Sequence, residues 1–262
     1  MGKVLLTGAA GGLGTILTKA LSDQFDLVLT NRSKNEELPE NIPFIEADLN
    51  DFDAILNIME EYDIETVLHF GGLPVEHEFE EILDANIRGT YHIYEAARRT
   101  GVKRVVYASS IHAVGFLKAT DRPYDIHSET RPDTFYGLSK VYGENLGKLY
   151  ADKFGLEVIN VRICDAEEKP TSRGQLYNWL SYNDLIQLFQ KSITATIDSV
   201  VTIYGISNNT RSFFTVEPDN PLGYAPQDNA EDYEKEIPDE FDHENDRLYV
   251  GGHDFVKKDA VG

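Results

Sequence analysis

Tyr136 and Lys140 stand four residues apart in Tyr136-Gly137-Leu138-Ser139-Lys140, a spacing that puts a phenol and an ammonium on one face of a helix. A phenol of pKa about 10 is a poor base at neutral pH, and a neighbouring cation favours its phenolate. Such a pair can take the proton from a hydroxyl while hydride leaves the same carbon for an acceptor. Upstream, Ala108-Ser109-Ser110 closes an apolar run, and a hydroxyl there could hold the reacting oxygen near Tyr136. Each piece alone is ordinary surface decoration. The chemistry needs elements that bring the pieces together.

Those elements read as strands alternating with helices. Lys3–Thr7, Asp26–Thr30, Phe44–Ala47, Thr66–Phe70, Lys103–Ala108 and Glu157–Arg162 are short apolar runs bounded by turn residues. Between them, helical spacing covers residues 12–24, 52–62, 79–99 and 134–154, with Gly101 suited to a C-cap. Alternation of this kind predicts an α/β fold, a Rossmann-type doubly wound parallel sheet. After Arg162 the pattern loosens to a helix over 182–192, a strand-like run over 199–204 and a Pro/Gly-rich tail. The expected organisation is a dinucleotide-binding core over 1–165, carrying the Tyr/Lys helix, and a small substrate lobe over 166–262 packed on it.

Between the first strand and helix lies Thr7-Gly8-Ala9-Ala10-Gly11-Gly12-Leu13-Gly14. Gly8 permits a tight exit from the strand, Gly11 and Gly12 admit a phosphate to the backbone, and Gly14 lets helix and sheet pack closely. A pyrophosphate would rest on the helix N-terminus, so the expected cofactor is NAD or NADP. Dinucleotide folds usually carry an acidic residue at the end of the second strand for the ribose hydroxyls. Here Asn31-Arg32 stands there. Asn31 does not repel a 2′-phosphate and Arg32 could pair with one, which tilts the reading slightly to NADP. Asp48 is placed to accept from the adenine amino group, or to cap the following helix, a role that Asn50 or Asp51 suits better.

Taken together, the chain resembles the extended short-chain dehydrogenases/reductases, and within them the uronate dehydrogenases. The matching pieces are Thr7–Gly14, Asp48-Leu49, His69-Phe70-Gly71-Gly72, Asn86 with Gly89, Ala108-Ser109-Ser110-x-His112, Tyr136-Gly137-x-Ser139-Lys140, Val161-Arg162-Ile163 and Leu222-Gly223-Tyr224. The resemblance implies a catalytic set of Ser110, Tyr136 and Lys140. It implies cofactor contacts at Gly8, Gly11, Gly12, Leu13, Gly14, Asp48, Leu49, Phe70, Gly71, Gly72, Asn86, Ser109, Tyr136, Lys140 and Ile163, and a substrate pocket lined by Ser110, Ile111, His112, Asp165 and Arg173. It also implies a homodimer built on the helices over 79–99 and 134–154. The short C-terminal lobe suits a free monosaccharide better than a nucleotide diphosphate sugar.

The departures fall on the substrate side. Ile111 replaces an Asn, Pro74 a Ser, and Cys164-Asp165 a Gly-Ser pair, while the carboxylate-binding Arg of the family lies at or next to Arg173. The first expectation is therefore oxidation of the anomeric carbon of a free sugar or sugar acid to a lactone. Epimerisation of a nucleotide sugar, reduction of another carbonyl, and a non-catalytic dinucleotide sensor stay open.

A formal charge of −21 argues against nucleic acid and anionic membrane as partners. The acidic stretch Asp228–Asp246 reads as a solvated face. No run approaches a membrane span and no signal-peptide pattern is present, while the single Cys164 suits a reducing compartment, so a cytoplasmic protein is expected. The histidines lack metal-ligand spacing, and no metal is expected.

Overall fold

The computed structural model describes residues 2–238 and 248–252. Among them the strands are β1 (Lys3–Thr7), β2 (Leu27–Asn31), β3 (Phe44–Glu46), β4 (Ile64–His69), β5 (Arg104–Ser110), β6 (Glu157–Ile163), β7 (Asp165–Ala166), β8 (Trp179–Leu180) and β9 (Val200–Gly205). Seven form one sheet in the order β3-β2-β1-β4-β5-β6-β9, and β7 pairs with β8 apart from it. The ladders β2–β3, β1–β2, β1–β4 and β4–β5 are parallel. The order reverses direction beside β1, the doubly wound pattern in which ligands bind beyond the C-terminal strand ends.

The chain packs as two compact units that interleave along the sequence. The first is the described residues of Met1–Ala108, with Tyr142–Asn160 and Ile197–Val201; the second is Ser109–Val141, Val161–Thr196 and the described residues of Thr202–Gly262. The sequence reading places one boundary at 165/166, and the observed division differs from it. Strands β5, β6 and β9 each run from one unit into the other, so no single cut separates them.

In the first unit, helices α2 (Phe52–Glu61) and α4 (Gly89–Thr100) pack on a core of Leu5, Val28, Ile55, Val67, Ile93 and Val105, all buried, while α1 (Gly12–Leu21) buries Leu17 and Leu21. Burying each such side chain contributes roughly 1.5–3 kcal/mol. Asp51 caps α2, its carboxylate accepting from the Ala54 N–H at 3.0 Å. Gly101, at φ +78, closes α4 in the left-handed conformation that glycine adopts without penalty.

The continuous helix expected over 79–99 is instead three pieces. A short α3 (Phe79–Ile82) is followed by a π-helical turn, Leu83–Arg88, and then α4. Asn86 explains the break: its Oδ1 accepts from the Leu73 N–H at 2.7 Å and its Nδ2 donates to the Leu73 carbonyl at 3.1 Å. A wider turn holds that amide on the loop after β4. The apolar periodicity of the segment does not reveal it.

In the second unit, aromatic residues dominate the core. Trp179, Tyr204, Phe213 and Phe214 are buried with Leu176 and Val250, and the Tyr204 and Phe214 rings stack at 4.0 Å. Helix α5 (Phe135–Phe154) begins here and continues into the first unit. Helices α6 (Gln175–Asn178) and α7 (Tyr182–Thr194) follow, the latter capped by Ser181, whose hydroxyl accepts from the Asp184 N–H at 3.0 Å.

Candidate active site

In the first unit the glycine turn leaves β1 at Gly8, which has φ +71, a left-handed conformation that glycine alone adopts freely. The Gly11 N–H donates to the Gly8 carbonyl at 3.0 Å. A Cβ at Gly14 would lie 2.8 Å from the Ala9 Cα and collide with the turn it packs on. Asn35 braces the same turn, donating to the Ala10 carbonyl at 2.9 Å and to Thr15 at 3.0 Å. No side chain caps α1, so its first N–H groups can meet an anion.

A cleft of about 280 Å³ adjoins the turn, lined among others by Gly8, Asn31, Arg32, Asp48, Leu49, Gly71 and Gly72. The expected Gly11, Gly12, Leu13, Gly14, Phe70 and Asn86 are not in its lining. Asn31 donates from Nδ2 to the Ser33 carbonyl at 3.1 Å. Arg32 is exposed. Asp48 accepts from the Asn50 N–H at 2.9 Å, while Asp51, not Asp48, caps α2. Donors at a helix N-terminus, an amide, a guanidinium and a carboxylate are a set that fits a dinucleotide.

In the second unit, Ser109 and Ser110 end β5 and are buried. The Ser110 hydroxyl is hydrogen-bonded to Tyr136 and accepts from the His112 N–H at 3.2 Å. Thr134 starts α5, its hydroxyl accepting from the Gly137 N–H at 2.9 Å, and so sets the rotation that carries Tyr136 and Lys140. The Lys140 Nζ lies 5.3 Å from the Tyr136 ring centroid.

Burial shapes this pair more than charge does. It pushes Tyr136 up to about 12, the Ser110 hydrogen bond pulling back and Asp133 adding to the rise. It brings Lys140 down to about 8. Burial is thus the leading influence on Tyr136, and the hydroxyl of Ser110 is the group that eases it towards its anion.

His112 is buried, with Nδ1 2.8 Å from Asp133 Oδ2 and its ring edge-on to Tyr136 at 5.8 Å between centroids. An imidazole facing a carboxylate donates from that nitrogen, which leaves Nε2 for another partner. Asp165, half-buried at the start of β7, interacts with His112 and accepts a hydrogen bond from Asn178. Burial raises it to about 6, with Glu167 adding to the rise and His112 opposing it. Ile111 packs in the aromatic core, and Ile163 ends β6. Cys164 is buried, which pushes its thiol well up and leaves it inert.

Arg173 binds Glu234 at 3.2 Å, and Glu234 also accepts from Arg211, which reaches Glu231 at 2.6 Å. Part of the acidic stretch expected to be a solvated face is thus tied to arginines while keeping about a third of its side-chain surface exposed; its residues 239–246 lie outside the described residues. Asp133, Asn178 and Glu234 went unnoticed in the sequence. Only Asp133 left a signal, standing just before the cap of the Tyr/Lys helix. The other pairings span too many residues for any local pattern.

Residues 4–216 match the NAD dependent epimerase/dehydratase family. The chain is 38% identical to the uronate dehydrogenase of Pseudomonas syringae pv. tomato over 260 residues, 95% of this chain and 92% of that one. It is 36% identical to the NAD-dependent glucose-6-phosphate dehydrogenase of Haloferax volcanii over 252 residues, 88% of this chain and 95% of the relative. Its fold matches that of a mutant uronate dehydrogenase from Agrobacterium tumefaciens complexed with NAD, with a TM-score of 0.91 at 33% identity, covering 100% of this chain and 99% of the other. The glycine turn, the Tyr/Lys helix and the likeness along the whole chain agree: this protein belongs to the NAD dependent epimerase/dehydratase family.

Proposed function

We propose that the protein is an NAD(P)-dependent dehydrogenase that oxidises the anomeric carbon of a free sugar or sugar acid to its lactone. The observation that carries this reading is the buried Ser110–Tyr136–Lys140 set. Relatives with NAD in their names or complexes support the cofactor, and Asn31-Arg32 accommodates either form of it. Gly8, Gly11, Gly12, Leu13 and Gly14 would hold the pyrophosphate, and Asn31, Arg32, Asp48 and Leu49 the adenosine end. Phe70, Gly71, Gly72, Asn86, Ser109 and Ile163 would complete the contacts by family likeness.

When bound, the nicotinamide supplies a hydride acceptor. Tyr136 takes the proton of the anomeric hydroxyl as the C1–H bond gives up its electron pair and the carbonyl of the lactone forms. Ser110 donates to the phenolic oxygen and orients the reacting oxygen. Lys140, charged at neutral pH, supplies the positive charge that the developing phenolate needs.

Residues 1–165 would form the cofactor-binding core that carries the Tyr/Lys helix, and residues 166–262 a small substrate lobe to which Arg173 belongs. Exposed Tyr91, Leu149 and Phe154 on α4 and α5 support a homodimer through those helices. Among the described residues no helix is long and apolar enough to cross a membrane; a cytoplasmic location is proposed on the lone, unbridged Cys164. The test is a panel of galacturonate, glucuronate and neutral aldoses with NAD and NADP, read by the absorbance of reduced nicotinamide. Turnover of at least one sugar is expected; a folded, cofactor-binding protein that oxidises none would defeat the reading.

A further inference from the structure

Helix α4 grips one wall of the cofactor cleft from behind. Leu49 lines the cleft beside Asp48, on the loop that joins β3 to α2. Its side chain is wedged between two glycines: a Cβ at Gly71 would lie 2.8 Å from Leu49 Cδ1, and one at Gly89 would lie 2.9 Å from Leu49 Cβ. Neither position leaves room for a methyl group, so the leucine rests directly on both backbones. The Leu49 carbonyl lies 2.7 Å from His92 Nδ1. A carbonyl only accepts, so Nδ1 carries the proton and donates it.

Gly89 and His92 stand three residues apart on α4 and share one of its faces. That face is a socket for a single residue: Gly89 receives the side chain and His92 holds the carbonyl. The imidazole is half-buried and stands edge-on to Phe52, the first residue of α2, at 5.4 Å between ring centroids. On the other side of the wedge the Thr7 hydroxyl accepts from the Gly71 N–H at 3.1 Å, so that backbone is held without His92. His92 itself is not among the residues that line the cleft. A wall kept in place by apolar contact alone would spend part of its time off the two glycines. Apparent affinity falls by the fraction of molecules whose site is out of shape.

We propose that His92 is a positioning residue for the adenosine end of the cofactor, acting through Leu49. The inference rests on the dehydrogenase reading, in which this cleft takes the dinucleotide, and adds a residue behind the site to those that face it.

The experiment measures Kd by calorimetry on the cofactor-free protein, with NAD and with AMP, which carries the adenosine end alone. His92→Phe and His92→Leu, two variants in case one folds poorly, remove the donor. Each should weaken NAD and AMP by the same factor, about fivefold, the scale of one lost hydrogen bond. His92→Asn has an amide nitrogen at the same remove from Cβ as Nδ1 and should bring affinity back to within about twofold of wild type. In turnover the loss should appear in KM for NAD, with kcat at saturating cofactor unchanged. A general loosening of the fold would not be rescued by Asn. Unchanged affinity in both donor-free variants, a loss that His92→Asn fails to restore, or a loss for NAD without one for AMP overturns the inference while leaving the dehydrogenase reading intact. A wild type that binds neither NAD nor NADP removes that reading, and the inference with it.

Discussion

Two clusters, one in each unit, handle buried charge in opposite ways. In the first, Glu95 is almost covered, yet Arg98 and Arg99 grip it at 2.8 and 2.7 Å and the Tyr150 hydroxyl donates to it at 3.0 Å. These partners hold its carboxyl down at about 2. Arg104 is likewise covered and paired with Glu157 at 2.5 Å. In the second unit, desolvation is the leading cause at Tyr136, Lys140 and Asp165, and each group moves away from its charged form. Partners stabilise a scaffold; buried groups whose proton affinity is shifted by desolvation are typical of sites that transfer protons. The contrast separates a cluster steadied by its partners from one shaped by desolvation.

The sharpest way to break that contrast is to disable each half in turn. Tyr136→Phe should lower kcat by about 10³-fold, the scale of lost general base catalysis, while calorimetry finds cofactor affinity unchanged. Gly14→Val should do the reverse, abolishing cofactor binding because its Cβ would strike the turn at Ala9. If the Tyr136 variant lost cofactor affinity as well, the division of labour would collapse.

A smaller effect tests the electrostatics. Lys140 has a folded pKa below its unfolded one, so its contribution to stability is favourable above about 10.5 and is lost as pH falls through about 8. Lys140→Met should therefore gain on the order of 2–3 kcal/mol at pH near 7 and little at high pH, with activity lost. Glu95 has the opposite sign: its pKa is depressed, its stabilisation is present above about 4.5 and is lost as pH falls towards about 2. Glu95→Gln should cost about 1–3 kcal/mol at neutral pH. Denaturant melts at two pH values read both, and equal signs would refute the contrast.

The smallest effect concerns the cofactor's ribose. Arg32→Ala should reduce kcat/KM for NADP about fivefold or more, the loss of an exposed charge-assisted contact, and leave NAD unchanged. An equal fall for both would show that Arg32 does not read a 2′-phosphate.

Much of the fold was legible because parallel strands buried on both faces are short apolar runs, and Gly8 to Gly14 punctuates the first of them. Tyr136 and Lys140 were legible because helical spacing is local. What escaped the sequence is long-range or too short to have a period. Strands β7 and β8 are two residues each. His112 meets Asp133 across 21 residues, and Arg173 meets Glu234 across 61. The interleaving of the units escaped for the same reason, since it depends on where strands sit in the sheet and not on their composition. Even the direction of the Tyr136 shift needed burial, which spacing does not report.

The π-helical turn Leu83–Arg88 has a consequence for how this chain tolerates length changes. One helical residue corresponds to about 100° of rotation. Deleting a single residue within the turn would let a regular ladder form, and would swing Asn86 off the Leu73 backbone that it grips on both sides. The loop between β4 and α3 would then lose its tether although no apolar contact in the core had been removed. An alignment would count that deletion as one gap, yet in three dimensions it would re-index the segment that steadies Gly71 and Gly72.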